Sequence, residues 1–114
     1  MSRQRLYRVS DNKTFADPCW TADSFWGRFM GLMGKSSLEF GSGLLIRSCN
    51  SIHTFFMRFA IDAVYLDAEF KVVKVRRAMK PWRVDLPVAK ASMVLELAAD
   101  GAAGLTEGDL LCLS

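Results

Sequence analysis

Apolar positions along the chain fall mostly into short runs of strand length, separated by clusters of turn formers. Arg5 to Val9 is the first such run, and Ser10-Asp11-Asn12-Lys13 can reverse it into a second strand over Thr14 to Trp20. From Thr21 the pattern changes: Thr21 or Asp23 can cap a helix, and Phe25, Phe29, Leu32 and Met33 recur at the spacing of an apolar helix face, with Gly31 and Gly34 to end it. Arg28 falls at the edge of that face, next to the core yet able to reach water.

Strand-like runs resume at Gly43, where Leu44-Leu45-Ile46 reads as a central strand. His53 to Phe59 and Ile61 to Asp67 are rich in aromatic and β-branched residues, with Asp67-Ala68-Glu69 as the following turn. Phe70 to Met79 alternates, placing Val73 and Val75 on one face and Lys74 and Arg76 on the other. Lys80-Pro81-Trp82-Arg83 opens a loop running past Pro87. Ser92 to Leu97 and Leu110 to Leu113 complete the set, the latter entered through the turn Thr106-Glu107-Gly108-Asp109. The pattern predicts an α+β fold: one main helix near the N-terminus and a mostly antiparallel sheet of six to eight short strands, curled or barrel-like.

Composition narrows the class without naming a chemistry. At 114 residues, 51% hydrophobic and 24% charged, the chain is long enough for one globular domain spanning 1–114 and too short for two. Fifteen Lys and Arg stand against twelve Asp and Glu, a mild excess that by itself argues poorly for nucleic acid. The cluster Lys71, Lys74, Arg76, Arg77, Lys80 and Arg83 has few aromatics interleaved with the charge and no recognised binding motif, so it reads as a solvated face that also guards against edge pairing. Cys19, Cys49 and Cys112 form no close pair and leave an odd thiol, which fits a reducing compartment. The opening residues MSRQRLYRVS lack an apolar signal run, and no stretch is long enough to span a membrane. Cytoplasmic localisation is the resulting expectation.

Several motifs occur together: Arg28-Phe29-Met30-Gly31-Leu32-Met33, Phe55-Phe56-Met57-Arg58 leading to Ile61-Asp62 and Leu66-Asp67, Val94-Leu95-Glu96-Leu97, and Gly108-Asp109. In order and spacing they resemble the domain of unknown function 192 family, also called uncharacterised protein family 0127, over roughly Phe15 to Leu113. Ala60 and Asp100 depart from the proline and alanine usual at those steps of the pattern. The resemblance implies a compact α+β fold and brings neither a cofactor nor an established reaction.

Candidate chemistry centres on a few residues. His53 is the only histidine, so a multi-histidine metal site is excluded and no metal is expected. Cys49 and His53, four apart, could form a nucleophile and base in a hydrolase or transferase, or be a small buried hydrophobe and a loop residue. Arg58 and Asp62 are the only charges between Thr54 and Leu66, and each requires a partner or water. Asp62 could pair with Arg28 or Arg58 and pin the helix to the sheet. Alternatively, His53, Arg58, Asp62 and Arg83, with Arg28 near them, could line a polar pocket for a small anion. Glu96, between Leu95 and Leu97, is expected on the opposite face, wet or paired with a lysine. Trp82, flanked by Lys80-Pro81 and Arg83, suits stacking on a ligand or partner, or closing over the core. The leading expectation is a non-catalytic binding or accessory domain with a polar pocket at His53, Arg58, Asp62 and Trp82; an enzyme and a subunit interaction module are the alternatives.

Overall fold

The computed structural model describes residues 3–22, 39–54 and 58–114. Their regular elements are seven strands: β1 (Arg3–Arg8), β2 (Thr14–Ala22), β3 (Gly43–Arg47), β4 (Ile61–Leu66), β5 (Val72–Met79), β6 (Met93–Ala98) and β7 (Leu111–Leu113). They form one sheet in the order β5-β4-β6-β3-β2-β1-β7. Every neighbouring pair with a described register is antiparallel except β2 with β3, which pair in parallel.

The fold is therefore all-β among the described residues, which corrects the α+β expectation. The capping site read at Thr21 is strand: Thr21 and Ala22 pair with Leu45 and Ile46 of β3. A β-branched threonine that fits the pleat can be held there by tertiary pairing, which outweighs the local capping preference. Phe25, Arg28, Phe29, Leu32 and Met33, which carried the helix expectation, lie outside the described residues.

Curling brings the two ends of the sheet together. Lys71 and Leu110 form an antiparallel bridge, flanked by hydrogen bonds from Val72 N to Asp109 O (2.8 Å) and Leu111 N to Phe70 O (3.0 Å). The concave face so enclosed holds Leu6, Phe15, Leu45, Val64, Leu95 and Leu111, among others, with residues from all seven strands. Gly43 is required where β2, β3 and β6 crowd together, since a Cβ there would lie 2.8 Å from both Ala16 Cβ and Leu97 Cδ2.

A second apolar layer covers the convex face of the central strands, where Leu44, Ile46, Ala63, Tyr65 and Val94 pack with Ile52 and, more peripherally, Val88 and Ala91. With both faces covered, β4 is buried at all six positions. Glu96, expected to be wet or paired with a lysine, is fully buried on this convex face, beside Leu44 and Ala63.

Two irregularities in β5 change which way side chains point. Leu66 pairs with Val72 and Tyr65 with Lys74, so Val73 is an inserted residue: Val73 packs on the convex side and Val75 on the concave side, rather than sharing a face. The second lies between Arg76 and Met79, where Ala78 adopts a positive φ of 51°. That turn aims the Ala78 amide at Asp62. The Asp62 carboxylate points into the concave core, is 1% exposed, and accepts hydrogen bonds from Ala78 N (2.8 Å) and Ala102 N (3.0 Å). Among the described residues its donors are these two main-chain amides, which tie β4 to β5 and to the 100–104 turn.

Two predictions follow from this core. Asp62→Ala leaves two main-chain donors without their acceptor and should lower unfolding free energy by about 3 kcal/mol, with Asp62→Asn intermediate; urea denaturation at unchanged slope measures both. Burial pushes the Cys19 thiol from 9.0 up to about 12. Below the unfolded value the contribution to stability is complete; as pH rises from there toward the folded value, the unfolded chain alone ionises and stability is lost. Cys19→Ala, although weaker at neutral pH, should therefore show a shallower alkaline decline than the parent in denaturation at stepped pH.

Candidate functional site

Covering the convex face is the task of two irregular segments, 49–54 and 80–91, which run antiparallel as a ribbon. Thr54 N donates to Arg83 O (2.8 Å), Asp85 N to Ile52 O (2.9 Å) and Val88 N to Asn50 O (2.8 Å), and His53 faces Val84 in a β-bridge. The apolar Ile52 and the fully buried Thr54 turn toward the sheet. His53 and Val84, one residue out of step and directly opposed, share the other side.

Four polar contacts fix the ribbon from beneath. The Thr54 hydroxyl donates to Lys80 O (2.6 Å) and accepts from Arg83 N (2.9 Å), holding both ends of the Lys80-Pro81-Trp82-Arg83 turn. Tyr65, rising from β4, donates its phenol to Asp85 Oδ2 at 2.8 Å. Arg76 Nε lies 3.4 Å from the other oxygen of the same carboxylate. Burial, the bond to Asp85 and the negative charge of Asp85 push the Tyr65 phenol far above its ordinary value of 10.0, so it stays a donor. Asp85 is thereby turned inward and engaged on both oxygens.

Above these anchors the turn presents its side chains to solvent. Trp82, held at φ 62°, is 57% exposed, and Lys80 and Arg83 are exposed on either side. Of the two readings of Trp82, the exposed one describes the structure.

The residues singled out from sequence are distributed as follows. His53, Trp82 and Arg83 all lie on the ribbon, His53 opposite Val84, and Trp82 and Arg83 paired through their main chains with Thr54. Asp62 lies on the concave side, so the sheet stands between it and them. Arg58 is exposed in the bend before β4, and Arg28 lies outside the described residues. The Cys49 thiol donates to Ser51 O at 2.8 Å and borders an open groove of about 810 Å³ lined also by Arg47, Ser48, Asn50 and Ser92. His53 does not line that groove. Sequence reasoning missed Thr54, Tyr65 and Asp85 as the residues that position the turn. The available signal was Tyr65, since a phenol in an otherwise apolar strand requires a partner for its hydroxyl.

Among the described residues no group of three or more His, Cys, Asp or Glu side chains is arranged to hold a metal ion, and no helix is long and apolar enough to cross a membrane.

Comparison with known proteins places these features in a family. A protein of unknown function from Novosphingobium aromaticivorans has a similar structure, with a TM-score of 0.78 at 19% identity over 96% of this chain and 83% of its own; that likeness is one of fold. In sequence, the chain is 41% identical over 105 residues to a UPF0127 protein of Pyrococcus horikoshii, covering 90% of this chain and 87% of that one. It is 37% identical over 95 residues to a UPF0127 protein of Thermococcus sibiricus, of which it spans 61%. The model of the DUF192 family, described as uncharacterized ACR, matches residues 8–113, and the chain belongs to that family.

Proposed function

We propose that this protein is a non-catalytic binding module that takes an anionic ligand on the outer side of the ribbon, between His53, Trp82 and Arg83. The observation that carries the reading is a pre-set turn: Thr54 fixes Lys80 and Arg83 through their main-chain atoms, leaving the Trp82 ring and the Arg83 guanidinium outside. An aromatic face beside a guanidinium gives stacking and a forked donor set for a carboxylate or phosphate. The local charge supports the same sign of ligand. Over residues 80–91 the cations Lys80, Arg83 and Lys90 are exposed, whereas the one carboxylate, Asp85, is engaged by Tyr65 and Arg76. Holding the turn in advance lowers the ordering cost of binding. Asp62, satisfied by main-chain donors in the concave core, has a structural part in this reading.

Titrating the labelled protein with inorganic phosphate or citrate should shift the Trp82 indole and Arg83 resonances first in heteronuclear NMR spectra. Arg83→Ala should weaken the response about tenfold or more, the loss expected for one charge-assisted bond, without changing thermal unfolding. A response confined to other parts of the surface, or none, overturns the reading. Thr54→Val tests the anchoring separately: with both hydroxyl bonds gone it should cost about 1–3 kcal/mol and speed hydrogen exchange at the Arg83 amide well beyond the change seen in β4 and β6.

A further inference from the structure

The ribbon carries a feature that a small soluble anion leaves unused. Trp82, Val84 and Leu86 recur every second residue and are 57%, 64% and 80% exposed. Asp85, between the last two, points inward to Tyr65, so Val84 and Leu86 project from the opposite side, together with His53. We propose that the anion is presented by a lipid surface: Trp82, Val84 and Leu86 enter the headgroup region of an anionic bilayer while Lys80, Arg83 and Lys90 lie against its phosphates. This rests on the anion-binding reading above and names its source.

Charge complementarity and shape favour this occupant over the others. Every exposed charge on residues 80–91 is a cation. Apolar side chains rimmed by cations match the layered chemistry of a bilayer interface, where tryptophan is at home. A second copy docking by the same side would set these cations against one another. An extended peptide adding to the ribbon edge would meet Pro81 and Pro87, which have no amide to donate. A groove for a helix is also lacking at Val84 and Leu86, whose exposure makes them projections.

Co-sedimentation with vesicles tests the proposal. The intact protein should bind vesicles of phosphatidylcholine mixed with phosphatidylglycerol, bind pure phosphatidylcholine at least about tenfold less, and lose affinity as salt is raised. Val84→Ser/Leu86→Ser should reduce partitioning at least about tenfold while leaving thermal unfolding and the response to phosphate unchanged. Lys80→Gln/Lys90→Gln should flatten the salt dependence. Capture of the double serine variant equal to that of the parent overturns the proposal, as does a dimer in sedimentation velocity in which Val84 and Leu86 are protected from exchange. Glycerol 1-phosphate shifting Trp82 and Arg83 with no vesicle capture would remove the lipid surface and leave the small-anion reading standing. No response to either removes both.

Discussion

The central strands β4, β6 and β3 are dry on both faces, and most of the architecture answers that constraint. A single sheet has one face too many for one core. Curling encloses the concave face, where all seven strands contribute side chains. The convex face must be covered by something else, and within the described residues the cover includes the ribbon of 49–54 and 80–91, through Ile52, Val88 and Ala91. Segments that would otherwise be surface loops are consequently part of a core on their inner side, and their outer side inherits a fixed conformation.

Buried polar groups make that conformation specific. An apolar cover alone could slide, because hydrophobic contact has no direction. Thr54, Tyr65 and Asp85 supply direction, each pairing a ribbon atom with a defined partner. Asp62 does the same on the concave side, where its two oxygens join β4 to an irregular step of β5 and to the turn at Ala102. These four residues stand at places where the sheet departs from regularity, and an unmet donor or acceptor there is costly enough to exclude alternatives.

Much of the strand content was legible, because runs such as Leu44-Leu45-Ile46 and Val94-Leu95-Glu96-Leu97 have strand length and composition. What was not legible depends on tertiary pairing. Thr21 carries an equally good signal for a helix cap and for a strand, and only β3 beside it decides. The alternation of Val73 and Val75 is real in sequence yet broken in space by an inserted residue, which no local pattern announces. For the site, grouping His53 with Trp82 and Arg83 was within reach of sequence because all three lie in irregular segments. Asp62 was grouped with them by charge alone. Its direction follows from its register with Leu97 of the neighbouring β6, which no local pattern announces. Glu96 shows the limit from the other side: alternation gives its face correctly, but not that this face is covered.

The position of β1 has a consequence for how the molecule is made. β1 lies between β2 and β7, and Arg8 reaches across to Asp109, 101 residues further along the chain. During synthesis β1 and β2 can pair at once, yet β1 keeps one bare edge, and Leu6 lacks its neighbour Leu113, until β7 has been made. Such non-local closure is slow and leaves an interval in which an incomplete sheet can pair with other chains. Until β7 follows, the sheet has an open flank, and its closure is gated by translation of that strand.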